Sequence, residues 1–135
     1  MNSQKKSGWS SCLPNAFELI LNLLVHYNQR LDSGFAALAD VTRRGILERL
    51  GTRDSSISDL AERFDMTLTR MKKHVRVLED AGLVRTEKVG RVRTCRLGPR
   101  KLEDEIAWIA GYRRMLEARL DSLAEFLERT KGDKE

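Results

Sequence analysis

Apolar residues recur at helical spacing along the first half of the chain and predict a series of short helices. Residues 16–28 form an amphipathic segment, and apolar side chains at intervals of three and four continue from Leu31 to Ala39. A further helix is predicted over Thr42–Leu50 and ends at a glycine. Ser56 is a suitable N-cap for the next helix, whose apolar face consists of Ile57, Leu60, Ala61 and Phe64. The pattern thus predicts four helical segments after a polar tail at residues 1–15.

The helix predicted over Leu68–Ala81 has one apolar face and one basic face. Thr67 is its expected N-cap, and Gly82 ends it. One stripe is expected to face the core and consists of Leu68, Met71, Val75 and Leu78. At about 100° per residue, the opposite face presents Thr69, Arg70, Lys73 and Arg76, flanked by Lys72 and His74. This helix therefore presents a cationic surface to solvent.

A basic hairpin is predicted after this helix. Two β-prone runs, Leu83–Lys88 and Arg91–Leu97, are joined by a turn at Val89-Gly90. The tip and the outgoing strand contain the cations Lys88, Arg91, Arg93 and Arg96. The chain thus places two basic elements directly after one another.

The last helix is predicted from Pro99, in its first turn, to about Thr130. Three acidic residues from Glu103 to Glu105 suit the positive end of the helix dipole. Apolar residues then repeat in a coiled-coil-like seam at Ile109, Tyr112, Leu116, Leu120, Leu123 and Leu127. A helix of about 30 residues has more apolar surface than one small core covers, so we expect the seam to form a dimer interface. Packing within one monomer is the alternative.

Length and composition narrow the class of protein. The 135 residues make about one domain, and 41% hydrophobic content is enough for a core. A charged fraction of 33% argues against a membrane protein. The longest apolar run, Ala16–Val25, is about half the length that a transmembrane helix needs, and no signal-peptide cleavage site follows it. The distant cysteines Cys12 and Cys95 fit a reducing compartment, so we expect a cytoplasmic protein.

The net charge of +5 is concentrated in one stretch of the chain. Residues 1–66 have a net charge of 0 and residues 101–135 a net charge of −2, whereas residues 67–100 have +7. A helix fits the major groove of B-DNA, and cations on a hairpin meet the phosphates, so the partner predicted is double-stranded DNA. A merely solvated charged helix is the alternative, but it leaves the basic hairpin unexplained. The expected contacts are Thr67, Thr69, Arg70, Lys72, Lys73, His74 and Arg76 on the helix, with Arg91 and Arg93 on the hairpin.

Three segments resemble the ArsR/SmtB family of bacterial transcriptional repressors: FAALADVTRRGILERL, ISDLAERFDMTLTRMKKHVRVLEDAGLV and TEKVGRVRTCRL. The similarity covers about residues 31–130, and Val41 stands where many members have proline. The resemblance implies a homodimer that is paired mainly through its terminal helices. Each recognition helix would enter a major groove of an imperfect inverted repeat, usually at the protein's own promoter.

Many members of that family release DNA on binding a metal or metalloid, and this chain departs from their sites. The CVC thiolate pair of the metalloid sensors corresponds to Ser56-Ile57-Ser58, and soft metals need thiolates. No histidine lies between Pro99 and Glu135, where related members bind zinc. Cys95 remains as a weak metal or redox candidate, and a small half-buried strand residue is the simpler interpretation. We therefore expect no metal and no cofactor, and the inducer is unknown.

The function predicted is a homodimeric, sequence-specific repressor at an inverted-repeat operator, built on a mainly α fold with a small β-hairpin wing and a long C-terminal dimerisation helix. One alternative is a thiol- or metalloid-responsive repressor that uses Cys95, and another is a winged-helix protein-interaction adaptor. No enzyme motif is present. The expected organisation is an N-terminal extension at residues 1–30, a winged helix-turn-helix domain at residues 31–130 and a tail at residues 131–135. Within the extension, residues 1–24 are either an extra helix that packs on the dimer or the product of an over-extended start.

Overall fold

The computed structural model describes residues 15–133, so the predicted tail up to residue 14, Cys12 and the last two residues lie outside the described residues. Five helices and three strands follow one another in this range. They are α1 (Ala16–Leu38), α2 (Val41–Thr52), β1 (Ser55–Ser56), α3 (Ile57–Arg63), α4 (Leu68–Asp80), β2 (Val84–Val89), β3 (Val92–Leu97) and α5 (Glu103–Asp133). The mainly α fold with a small hairpin wing, predicted from the apolar pattern, is confirmed. The chain divides into two compact units, one that ends at Pro99 and one that begins at Arg100.

Helix α1 is one continuous helix rather than the two segments predicted at residues 16–28 and 31–39. No glycine or proline lies between Tyr27 and Leu31, so nothing interrupts the backbone hydrogen bonds there. Asn15 caps the helix, because its side-chain oxygen accepts a hydrogen bond from the Glu18 amide at 2.8 Å. The residues from 15 to 30 are all exposed, and burial begins at Leu31.

The corner between α1 and α2 is closed by side chains. Asp40 caps α2 and accepts a hydrogen bond from the backbone amide of Arg43 at 3.0 Å. The Arg43 guanidinium turns back and donates to the carbonyls of Ala37 and Ala36 at 2.9 and 2.7 Å. These carbonyls belong to the last turn of α1, where intrahelical donors run out, and the Ala36 carbonyl also accepts a hydrogen bond from the Ala39 amide at 3.3 Å. Arg43 therefore serves as a C-terminal cap.

The core of the first unit is formed mainly by the helix faces that the apolar pattern predicts. It contains Ile46 and Leu50 of α2, Leu60 and Ala61 of α3, and Met71, Val75 and Leu78 of α4. Leu68 was expected on the same stripe of α4, and this expectation is wrong, since its side chain is 43% exposed. Leu68 is the first residue of the helix, and it lines a cleft towards the hairpin instead.

The three strands form an antiparallel sheet in the order β1-β3-β2. In the β2–β3 hairpin, Thr86 lies opposite Cys95 and Lys88 lies opposite Arg93. On the other edge of β3, Ser55 lies opposite Cys95. The two-residue strand β1 was not predicted, because a pair of serines gives no periodic signal.

Glycines shape both ends of the hairpin. The turn lies at Gly90–Arg91, one residue later than predicted, because Val89 still belongs to the ladder, and Gly90 has a φ of +63°. At the other end, the Gly98 amide donates to the Leu83 carbonyl at 2.8 Å. A Cβ atom on Gly98 would lie 2.4 Å from the carbonyl oxygen of Gly82, so only glycine fits at position 98.

The second unit consists mainly of α5, which begins at Glu103 and not at Pro99 as predicted. Leu102 has a φ of +61°, a left-handed conformation that does not continue into an α-helix on its N-terminal side. Glu103, Asp104 and Glu105 do form the first turn, and α5 extends to Asp133, past the predicted end near Thr130. Within residues 15–133, no helix combines the length and the apolar character that a membrane span requires.

Candidate nucleic-acid interface

Helix α4 is positioned by a short turn and by its N-cap. Asp65 adopts a left-handed φ of +51°, and the Met66 amide donates to the Ala61 carbonyl at 3.0 Å, which reverses the chain after α3. The Thr67 hydroxyl then accepts a hydrogen bond from the Arg70 amide at 3.3 Å. The cap predicted from the sequence is thus present, and α3, the turn and α4 form a helix-turn-helix.

The outward face of α4 presents six of the seven helix residues that were predicted to contact DNA. Met71, Val75 and Leu78 are buried on the opposite side, which fixes the rotation of the helix about its axis. The exposed residues are Thr67, Thr69, Arg70, Lys72, Lys73 and Arg76. No acidic side chain precedes Glu79 on this helix, so its first three turns have a basic surface.

His74 is the seventh residue, and the structure sets it apart from this surface. Its imidazole is only 16% exposed, and Nδ1 lies 3.9 Å from Oδ1 of Asp40. The pKa of Asp40 is lowered, mainly by the hydrogen bond from the Arg43 amide. The anionic carboxylate therefore faces His74 at the corner between α1 and α2, and the imidazole links α4 to that corner.

The hairpin is attached to α4 by a side-chain hydrogen bond. The Thr86 hydroxyl of β2 donates to Oε1 of Glu79 in the last turn of α4 at 2.7 Å. Arg91 and Arg93, predicted to contact phosphates, are exposed and line a cleft that also contains Lys72. Lys88 lies in the same cleft, although sequence reasoning did not include it among the contacts. The position of Lys88 in this cleft depends on how β2 packs against α4, which no local sequence pattern reveals.

Cys95 is fully buried in β3, between Ser55 and Thr86 on the neighbouring strands. Burial raises the pKa of its thiol from 9.0 to about 11, and the nearby Glu79 carboxylate acts in the same direction. The thiolate is the form that binds metals and attacks oxidants, and this environment disfavours it. Among residues 15–133, no group of three or more His, Cys, Asp or Glu side chains is arranged to hold a metal ion.

The predicted seam of α5 is exposed in the single chain. Its six side chains are each between 45% and 57% exposed, and Trp108 stacks on Tyr112 with ring centroids 5.7 Å apart. The seam residues are Ile109, Tyr112, Leu116, Leu120, Leu123 and Leu127. They form one continuous apolar stripe along the second unit, since they recur at intervals of three and four.

A helix-turn-helix with a basic second helix and an adjoining hairpin defines the winged helix-turn-helix class of transcriptional regulators. A family model described as a helix-turn-helix domain matches residues 38–87, from the end of α1 into β2. The crystal structure of an ArsR-family transcriptional regulator is 42% identical, with 67% of this chain and 93% of that chain covered and a TM-score of 0.62. The chain belongs to the ArsR family of transcriptional regulators, so the resemblance stated from the sequence is confirmed.

Other relatives are also transcriptional regulators. An ArsR-like transcriptional regulator from Rhodococcus sp. RHA1 is 33% identical, with 73% of this chain and 93% of that chain covered and a TM-score of 0.61. The transcriptional repressor SdpR of Bacillus subtilis (strain 168) is 28% identical over 82 residues, which are 61% of this chain and 91% of SdpR. The HTH-type transcriptional regulator YuzN of the same organism is 41% identical over 73 residues, which are 49% of this chain and 79% of YuzN.

Proposed function

We propose that this regulator is a repressor that binds operator DNA as a homodimer through the exposed face of α4 and the hairpin. The observation that supports the proposal is the division of α4 into a buried apolar face and an exposed basic face beside a second basic element. The similarity to the repressor SdpR supports the sign of regulation. We place the operator in the upstream region of the protein's own gene and expect an imperfect inverted repeat, because two identical subunits bind two half-sites.

Within this proposal the two basic elements have different tasks. Thr69, Arg70 and Lys73 lie near the N-terminus of α4, the part of a recognition helix that reaches base edges in the major groove. Arg91 and Arg93 of the hairpin bind phosphates, which adds affinity without sequence information. Substitutions in the first group should therefore change sequence preference, and substitutions in the second should weaken all sequences.

The homodimer is proposed to form through the seam of α5. Six half-exposed apolar side chains in a continuous stripe make a patch that soluble proteins rarely leave in contact with water. The seam has the spacing of a coiled coil, in which two copies of the same helix cover each other. A second copy of the chain thus fits this surface without any other partner.

Fluorescence anisotropy with a labelled duplex from the upstream region, compared with a scrambled duplex at several salt concentrations, tests the proposal. Affinity at least about a thousandfold above that for scrambled DNA is the expected result for an operator. Sedimentation velocity of the free protein measures the dimer in parallel. Absence of salt-dependent DNA binding at low salt would refute the proposal and favour the protein-interaction adaptor.

The thiol-responsive alternative receives no support from the site. Cys95 is buried, its pKa is raised, and no second described cysteine is available to form a disulfide with it within one chain. A repressor that responds to oxidants needs an accessible thiolate. We therefore propose that the inducing signal acts elsewhere on the molecule.

A further inference from the structure

A cleft of about 470 Å³ lies where α3, α4 and the hairpin meet, and its polar lining is cationic. Four cations and two hydroxyl groups face it: Lys72, Lys88, Arg91, Arg93, Ser56 and Ser58. No aspartate or glutamate lines it. Within residues 15–133, none of the four cations forms an ion pair with another described residue. The cleft therefore contains concentrated positive charge, while Glu79 and Asp80 line an adjoining cleft that Lys72 and Arg93 also border.

Two of these cations oppose each other directly across the hairpin. Lys88 and Arg93 are Cα partners in the β2–β3 ladder, and like charges in such a pair repel and destabilise the hairpin. Both lie two positions from the Thr86–Cys95 pair, so they share the sheet face that Thr86 turns towards Glu79 of α4.

The other face of the same hairpin shows the contrasting arrangement. There Arg96 has two acidic neighbours, with its guanidinium 3.2 Å from Glu87 and 3.8 Å from Asp54. Arg85 lies opposite Arg96 on this face and has no ion pair among the described residues, so the acidic neighbours compensate one of the two outer arginines. Neither Lys88 nor Arg93 has an acidic neighbour of this kind within the cleft. Because the four cations that line the cleft form no ion pair with a described residue and no carboxylate lines it, we infer that an anion from outside supplies the compensating charge.

We propose that the cleft binds one phosphate of the DNA backbone, held jointly by Lys72, Lys88 and Arg93, with the Ser58 hydroxyl as an additional donor. This inference rests on the proposed function. Binding of a phosphodiester replaces the repulsion between Lys88 and Arg93 by two charge-assisted hydrogen bonds. Lys72 is on α4, so the same phosphate ties the recognition helix to the hairpin and sets the depth at which α4 enters the groove.

A shared phosphate and three separate phosphate contacts predict different salt dependences. On B-DNA, each neutralised phosphate contributes about −0.9 to the slope of log affinity against log salt concentration. The triple variant K72Q/K88Q/R93Q should therefore lose about 0.9 of slope if the three cations share one phosphate, and about 2.7 if each binds its own. The single variants should each change the slope by less than about 0.3, because two cations remain on the phosphate.

The matched control is Arg85→Gln. Arg85 is an exposed cation on β2 that lies on the opposite sheet face from Lys88 and does not line the cleft. This variant should leave the slope unchanged, and Lys88→Arg should retain the wild-type slope. Thermal unfolding monitored by circular dichroism shows whether each variant is folded before its affinity is compared.

A duplex series with a single neutral methylphosphonate at successive positions locates the phosphate. At one position in each half-site, wild type and Lys88→Gln should bind with equal affinity, because the partner of Lys88 is absent there. A triple-variant slope loss near 2.7, or none, would overturn the shared phosphate while wild type still binds DNA. Failure of wild type to bind any duplex would refute the proposed function itself. Tight binding of free pyrophosphate to the DNA-free protein would assign the cleft to a small phosphorylated ligand and overturn its assignment to the backbone.

Discussion

Arg43 is expected to contribute more to stability than any arginine of the proposed DNA-binding surface, because its guanidinium forms hydrogen bonds within the fold. Its guanidinium donates to the carbonyls of Ala36 and Ala37 at the C-terminal end of α1. A hydrogen bond from a charged donor contributes about 1.5–3 kcal/mol to stability. Since the two bonds share one half-buried side chain, we expect Arg43→Ala to lower the free energy of unfolding by about 2–3 kcal/mol rather than by the full sum.

Arg44 provides a matched comparison one residue further along α2. Its guanidinium donates a single hydrogen bond, at 2.7 Å, to the Leu38 carbonyl and is exposed. Arg44→Ala removes the same charge and should cost about 1 kcal/mol or less. Arg43→Lys keeps the charge but loses the planar fork that reaches two carbonyls, and should fall between the two alanine variants.

Urea denaturation monitored by circular dichroism measures these differences. With a denaturant slope of about 1.5 kcal/mol per M, Arg43→Ala should shift the midpoint by about 1.3–2 M. All variants are compared at one protein concentration, because the stability of the proposed dimer would depend on that concentration. An Arg43→Ala effect no larger than that of Arg44→Ala would refute the capping argument. So would a large loss of DNA affinity in folded Arg43→Ala, since it would mean that the guanidinium is available to DNA.

Three further predictions concern the recognition helix, the sheet and the long helix. Arg70→Ala should change the order of preference among operator variants, as measured by anisotropy on a panel of single base-pair changes, because we propose that Arg70 contacts base edges. Cys95→Ala should remove a loss of stability that wild type shows as the pH rises from about 9 to 11. The folded state binds the thiol proton more tightly, so between pH 9 and about 11 the thiol ionises in the unfolded chain but not in the folded protein, and the free energy of unfolding falls. The loss levels off near the raised pKa of the folded state. Leu123→Glu should convert the proposed dimer to a monomer in sedimentation velocity and reduce operator affinity, because it places a charge within the seam.

Each of these predictions has its own control. Arg91→Ala should weaken all sequences by the same factor, and a changed order of preference would contradict the assigned roles. The pH dependence is taken as the difference between wild type and Cys95→Ala, because lysines also titrate above pH 9. If the stability of wild type rose relative to that of Cys95→Ala as the pH increased, the predicted sign would be wrong. Arg114 lies on the opposite side of α5 from the seam. Arg114→Glu should therefore leave the proposed dimer intact.

Local sequence signals were sufficient to predict much of the structure of α4. The N-cap Thr67 and the buried faces of Met71, Val75 and Leu78 followed from capping chemistry and helical periodicity. The same periodicity failed for Leu68, because a helix's first turn extends beyond the elements that cover its core face. A pattern reports which side of a helix is apolar, but not where the packing against it ends.

The boundaries and the cleft depend on contacts that are distant in sequence. Pro99 is a good first residue for a helix, yet α5 begins at Glu103 after the left-handed Leu102. The joint position of Lys72 and Lys88 depends on the strand register and on the Glu79–Thr86 hydrogen bond. Neither is encoded by a motif, so the hairpin cations could be predicted as DNA contacts only individually, and Lys88 was omitted.

The order of the strands also bears on how copies of this protein avoid aggregating. With the order β1-β3-β2, the outer edge of β2 has no neighbouring strand over Val84–Val89 among the described residues. Unpaired edges are templates for sheet extension between molecules, and charged side chains along them oppose it. Arg85 and Glu87 are both exposed on this strand, so pairing between two such edges would have to remove water from charged side chains. Substituting both by valine should favour edge-to-edge association between copies of the protein at high concentration.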